Sequence, residues 1–235
     1  MQDGTPVPVG CQPIDELLGG GLERGTVTQV YGPPGAGKTN VALSAAVTAA
    51  AAEERALFID TEGLSAERLE QLAAGVVGAD EVAAVTDRVL VSAAHDFDEQ
   101  AEAVREAAAV APGAGLIALD SATGFYRLRR REDPEDAVGE TLRLVADQVA
   151  HLLGLARRHD LAVVITNQVF TDPDAGAIRP LGGHTLAHWC GTIVRVERFR
   201  GGNRRVVLEK HRSRSVGDAV RVRITEGGFE GVADP

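Results

Sequence analysis

The segment Gly32-Pro33-Pro34-Gly35-Ala36-Gly37-Lys38-Thr39 constrains this chain more than any other part of it. It fits G-x-x-x-x-G-K-[ST] at every position. A run of β-formers (residues 26–31) precedes it and an Ala-rich stretch (residues 41–52) follows, so strand, glycine-rich turn and helix come in the order the motif needs. In that order successive backbone N–H groups curl around a phosphate, and the helix N-terminus adds its partial positive charge. Lys38 is placed to neutralise the β- and γ-phosphates of a nucleotide and Thr39 to hold Mg²⁺. Lys38 is one of only two lysines among 24 basic residues, and a compact ammonium suits a crowded cradle better than a planar guanidinium.

The rest of the pattern agrees with a βα unit of this kind. Strand-like runs at residues 56–60, 88–92, 115–120 and 161–166 alternate with helical stretches at 64–76, 96–110 and from Pro134 to about residue 159. Ser65 and Asp96 are natural helix caps, and Pro134 a natural first helical residue. The strands are nearly continuous in apolar residues, which implies burial on both faces in a parallel sheet. After Gly191 the rhythm changes to successive strands at 192–199, 203–210 and 219–225, an antiparallel meander. The expected fold is therefore α/β: a mostly parallel twisted sheet flanked by helices with a C-terminal antiparallel extension. At 235 residues and 44% hydrophobic content, the chain suits one domain with a well-covered core.

Composition excludes several classes. The longest apolar stretch, residues 41–52, is Ala-rich and far short of the roughly 20 residues a bilayer needs. The N-terminus has neither basic nor apolar leader regions, and Cys11 and Cys190 form no disulfide framework or metal quartet, so a cytoplasmic protein is expected. The net charge of −10 is uneven: residues 1–126 carry 6 basic and 19 acidic side chains, residues 127–235 carry 18 and 15. Eight basic residues lie between Arg195 and Arg214 against Glu197 and Glu209. Such a stripe either binds a polyanion or pairs with neighbouring acids.

Two carboxylates complete a candidate site. Asp120 ends an apolar strand, where a second Mg²⁺ anchor is expected, and Glu62 lies just past the strand after the phosphate-loop helix, where it can orient water toward a γ-phosphate.

These residues resemble the ATPase core of the RecA/RadA recombinase superfamily, and above all its short archaeal RadB branch. The likeness runs from Asp15-Glu16-Leu17-Leu18-Gly19-Gly20-Gly21-Leu22 through the phosphate loop, residues 58–63, 116–121 and 166–169, to Arg179-Pro180-Leu181-Gly182-Gly183-His184. It implies a RecA-like P-loop ATPase core filling residues 1–235, without the N-terminal helical DNA-binding domain of full recombinases. The implied cofactors are ATP and Mg²⁺. The implied catalytic set is Lys38, Glu62 and Gln168, with metal held at Thr39 and Asp120. The implied partners are single-stranded DNA and the main RadA-type recombinase, with homo-oligomers possible and no membrane. The first DNA-facing loop corresponds to residues 123–131, where Arg127, Arg129, Arg130 and Arg131 supply charge and Phe125 and Tyr126 supply aromatic rings for stacking. The second, residues 170–179, is acidic and poor for DNA. Lys210 and Arg212 resemble a pair that reaches a neighbouring subunit's nucleotide in some RecA-like rings, and are equally read as members of the basic stripe.

The function implied is an ATP-binding accessory to DNA repair and homologous recombination, with weak, DNA-modulated ATP hydrolysis. The alternatives are a KaiC-like ring-forming signalling ATPase, whose paired glutamates Asp60 and Glu62 do not match, and a nucleotide-gated adaptor without significant turnover.

Overall fold

The computed structural model describes residues 4–126, 139–171 and 178–232. A nine-stranded sheet organises it. The strands are β1 (Val27–Tyr31), β2 (Arg55–Asp60), β3 (Val89–Ala93), β4 (Ala114–Asp120), β5 (Ala162–Asn167), β8 (Thr192–Arg198), β9 (Arg204–Lys210), β10 (Ala219–Thr225) and β11 (Gly228–Gly231), in spatial order β11-β10-β9-β8-β1-β5-β4-β2-β3. From β8 to β3 every neighbouring pair is parallel; from β8 to β11 every pair is antiparallel. A separate hairpin joins β6 (Val169–Thr171) and β7 (Ile178–Pro180). The expected layout holds.

Helices cover both faces, because β1, β4 and β5 are buried throughout and expose no polar side. One apolar cluster joins Val30, Phe58, Leu116 and Val164 to α1 (Gln12–Leu18), α2 (Lys38–Ala51) and α3 (Ala66–Val76), and extends under the meander through Val196, Val206 and Val222. The other joins Val27, Ile59, Leu119 and Ile165 to α5 (Phe97–Val110), α6 (Glu140–His159) and α7 (Gly183–Trp189); the short α4 (Val82–Thr86) lies outside it. Alternate residues of each strand feed opposite clusters, as a two-fold side-chain period requires. Helix α2 lies against β2, β4 and β5 and is buried on nearly all sides; its alanines allow the close approach.

Local chemistry sets the helix starts. The Ser65 hydroxyl accepts the Arg68 N–H at 3.3 Å, and Asp96 accepts the N–H groups of Asp98 and Glu99 at 2.9 and 2.8 Å. The expected start at Pro134 lies outside the described residues. Helix α1 was not expected, although Pro13 in its first turn and Gly19 in left-handed backbone at its end are ordinary start and stop signals.

Part of the basic stripe is compensated where it stands, as is one arginine beyond it. Arg195 pairs with Glu197 and Glu209, Arg205 with Glu197, and Arg223 with Glu230. Tyr31 also donates to Glu209 at 2.5 Å. Cys11 and Cys190 are buried free thiols. Among the described residues no helix is long and apolar enough to cross a membrane.

Candidate nucleotide-binding site

Strand β1 ends at Tyr31, the chain turns through residues 32–37, and α2 begins at Lys38. Gly35 and Gly37 hold left-handed backbone, with φ of 68° and 110°, which L side chains rarely adopt. The loop lies at the carboxyl edge of the parallel strands, where open α/β sheets bind ligands. A cavity of about 610 Å³ opens over it. The phosphate loop, Lys38, Thr39, Glu62 and Gln168 all line this cavity, so residues far apart in sequence share one space.

Lys38 is buried, and its ammonium donates to the Pro33 carbonyl at 3.3 Å. Burial lowers its pKa, while the charges of Glu62 and Asp120 act in the opposite sense.

Asp120 is 1% exposed at the tip of β4. One carboxylate oxygen accepts the Thr166 hydroxyl; the other, Oδ2, is buried without a hydrogen-bond partner. Desolvation pushes its pKa up to about 6, with hydrogen bonds from Thr166 and Thr39 pulling the other way and Glu62 and Asp60 adding to the rise. An oxygen of so buried a carboxylate that meets no donor at hydrogen-bond distance fits a cation, and Thr39, which acts on the same carboxyl, brings a hydroxyl oxygen near it. Among the described residues no cluster of three or more His, Cys, Asp or Glu could hold a metal ion alone.

The segment bearing Glu62 is fixed by its two predecessors. Asp60 accepts the backbone N–H groups of Glu62, Gly63 and Leu64 at 3.1, 3.0 and 2.5 Å. The Thr61 hydroxyl donates to the Asp120 carbonyl at 3.1 Å and accepts the Ser121 N–H at 2.8 Å, beside the cis peptide between Asp120 and Ser121. The tips of β2 and β4 are thereby tied together, and the exposed Glu62 carboxylate projects to the cavity.

Gln168 is held from two sides. Its N–H donates to Thr123 Oγ1 at 3.2 Å, and its carbonyl accepts the Leu181 N–H at 2.9 Å. Its side-chain amide is left to reach Glu62 at 3.4 Å. It directly precedes β6, so a displacement of the amide would act on that hairpin.

Other expected residues fall elsewhere. Lys210 lies at the far end of β9 and donates to the Ala187 carbonyl at 2.8 Å, so it closes the end of α7; neither it nor Arg212 lines the cavity. Arg127, Arg129, Arg130 and Arg131 lie outside the described residues, as do residues 172–177. Tyr126, read from sequence as a stacking aromatic, is instead 5% exposed in the core, and Phe125 packs against the same cluster. Burial of these rings gains more than exposing them would, which an aromatic beside arginines does not reveal in sequence.

Sequence reasoning gave no site role to four cavity residues: Asn40, Val169, Arg204 and Ile224. Arg204 and Ile224 come from the meander. Nothing in their local pattern marks them; only the pairing of β8 with β1 brings them to the loop.

The family model for Rad51 matches residues 5–232. The chain is 59% identical to the DNA repair and recombination protein RadB of Halobacterium salinarum, with 97% of this chain and 96% of that protein covered. It is 41% identical to the protein of the same name from Methanococcoides burtonii, with 93% and 94% covered. A crystal structure of the RadB recombinase superimposes with a TM-score of 0.82 at 33% identity, covering 97% of this chain and 100% of that one.

Proposed function

The chain belongs to the Rad51 family, among its RadB members, and from that premise we propose that it is an ATP-binding accessory protein of DNA repair and homologous recombination. One observation carries the nucleotide part of this reading: the phosphate loop, Lys38, Thr39, Glu62 and Gln168 line one cavity, and behind Thr39 the buried Asp120 holds an oxygen with no hydrogen-bond partner.

In this reading the amides of residues 32–39 and the Lys38 ammonium bind the phosphates, and Thr39 and Asp120 hold Mg²⁺. Bound there, Mg²⁺ would supply positive charge for the terminal phosphate oxygens. Glu62, with its backbone fixed by Asp60, orients water for weak, DNA-modulated hydrolysis. Gln168 stands between Glu62 and the β6–β7 hairpin, and its amide transmits the state of the site to that hairpin. Residues 1–235 are taken as one RecA-like ATPase domain.

The names of the relatives support DNA repair and recombination as the setting. Single-stranded DNA and a RadA-type recombinase are the partners proposed, with Arg127, Arg129, Arg130 and Arg131 as the DNA-facing residues. Within the basic stripe Arg195 and Arg205 are committed to ion pairs and are not counted as DNA-facing. The signalling-ring alternative loses its support, because the family matched over residues 5–232 is Rad51.

The test is a pull-down on immobilised single-stranded DNA and on the RadA-type recombinase, at several salt concentrations, with and without Mg·ATP. Nucleotide-dependent capture that weakens with salt on the DNA arm is expected. Capture of neither partner at any salt at which the protein stays folded would sink the accessory role.

A further inference from the structure

The three glycines of the phosphate loop each lie against the meander. A Cβ on Gly32 would come within 2.0 Å of the Val196 carbonyl, one on Gly35 within 2.3 Å of Arg198 Nη2, and one on Gly37 within 2.7 Å of Ile224 Cδ1. The outer side of the loop is therefore clad by β8, β10 and the hairpin between β8 and β9. Within that cladding one side chain makes directional contacts. Arg204, the first residue of β9, donates from Nε to the Ala36 carbonyl at 2.8 Å and from Nη2 to the Gly35 carbonyl at 3.3 Å. From Nη1 it donates to the carbonyls of Gly202 and Asn203 at 2.5 and 3.2 Å. One guanidinium thus joins the crest of the loop to the hairpin turn, and it lines the cavity.

Peptide planarity gives this a consequence. In a trans peptide the C=O and the following N–H point in opposite directions. Holding the Ala36 carbonyl outward turns the Gly37 N–H away from Arg204. Ala36 is constrained separately, because its N–H closes a turn onto the Pro33 carbonyl at 3.2 Å. The Ala36–Gly37 plane is the one whose orientation Arg204 fixes, and its N–H belongs to the set a phosphate needs at the start of α2.

We infer that Arg204 is a positioning residue of the nucleotide site: its fork holds the Gly35 and Ala36 carbonyls so that the loop amide at Gly37 is aimed at phosphate before a ligand arrives. This rests on the nucleotide reading above. It makes the β8–β9 hairpin part of the phosphate site, although that hairpin carries no phosphate-binding motif. Lysine cannot replace the fork, since one ammonium nitrogen cannot span the carbonyls of Gly35, Ala36, Gly202 and Asn203.

The test is titration of the full chain with N-methylanthraniloyl-ADP and Mg²⁺, for wild type, Lys38→Ala, Arg204→Gln and Arg204→Lys, with amide hydrogen exchange of residues 35–38 measured without nucleotide. The expected result is affinity about tenfold weaker for Arg204→Gln, the scale of a lost charge-assisted hydrogen bond, with Arg204→Lys restoring only a small part of it. Faster exchange confined to residues 35–38 is expected with it; a merely structural role would lower the melting temperature without that local signature. Wild-type affinity in Arg204→Gln, or full restoration by Arg204→Lys, overturns the inference and leaves the nucleotide reading standing. Should Arg204→Gln not fold, Arg204→Lys decides in the same two measurements. A wild type that binds no probe overturns the nucleotide reading itself, and this inference with it.

Discussion

Gln168 Nε2 donates to Glu62 Oε1 at 3.4 Å, joining the tips of β5 and β2 across the mouth of the cavity. A neutral amide on the carboxylate proposed to orient water gives the site two separable parts. Glu62→Gln is expected to lower ATP turnover about a hundredfold, the usual scale for losing a positioned base, with nucleotide affinity near wild type. Phosphate release measured beside a binding titration checks this; unchanged turnover would favour the adaptor without hydrolysis. Gln168→Ala is expected to keep nucleotide affinity and to abolish any response of turnover to single-stranded DNA.

Asp60 acts on Glu62 through the backbone. Asp60→Ala leaves three N–H groups without their acceptor and is expected to destabilise the fold by about 1–3 kcal/mol, read by urea unfolding. It is also expected to reduce turnover more than nucleotide affinity, because Glu62 loses its fixed backbone. Asp60→Asn keeps one acceptor oxygen and should fall between the two.

The buried Asp120 carboxyl predicts a definite sign of pH dependence. Its folded pKa, about 6, stands above the ordinary value of 3.8, so between those values the folded protein holds more of this proton than the unfolded chain. In metal-free solution this group therefore adds stability as the pH falls from above 6 to about 4, and the gain is complete below the unfolded pKa. Mg²⁺ requires the ionised form, so metal-dependent stabilisation should weaken over the same interval. Melting curves of wild type and Asp120→Asn at pH 5 and 7.5, with and without Mg²⁺, read both slopes; identical slopes in the two proteins would contradict the assignment.

Burial also predicts inert thiols. Desolvation raises both cysteine pKa values, that of Cys190 to about 12 despite the opposing charge of Lys210. At pH 8 a disulfide reagent should titrate no thiol in the native protein and two after denaturation. Lys210→Met should make Cys190 easier to reach, since it removes the contact that closes α7 at Ala187.

How much of this could be read beforehand depends on how local the signal is. The inner strands β1, β2, β4 and β5 were legible because burial on both faces leaves unbroken apolar runs, whereas the edge strand β3 carries such a run with Leu90 and Val91 exposed; the caps at Ser65 and Asp96 were legible because their acceptors serve N–H groups two or three residues away. Strand β11 and the β6–β7 hairpin are three or four residues each, too short to show a period. Helix α7 buries only Leu186 completely, so it has no apolar stripe to find. At the site, Lys38, Thr39 and Glu62 announce themselves through a motif or a strand end. Arg204 does not: its partners lie 168 and 169 positions away, and only the pairing of β8 with β1 and β9 brings them within reach. Tyr126 marks the opposite error, where a suggestive neighbourhood concealed a core residue.

The cladding of the phosphate loop by β8, β9 and β10 bears on how the chain matures during synthesis. The fingerprint leaves the ribosome before the strands that brace it, which follow more than 150 positions later. A nascent chain ending near residue 190 carries every residue of the motif but neither Val196, Arg204 nor Ile224 behind it, so it should hold a nucleotide more weakly than the chain that has them.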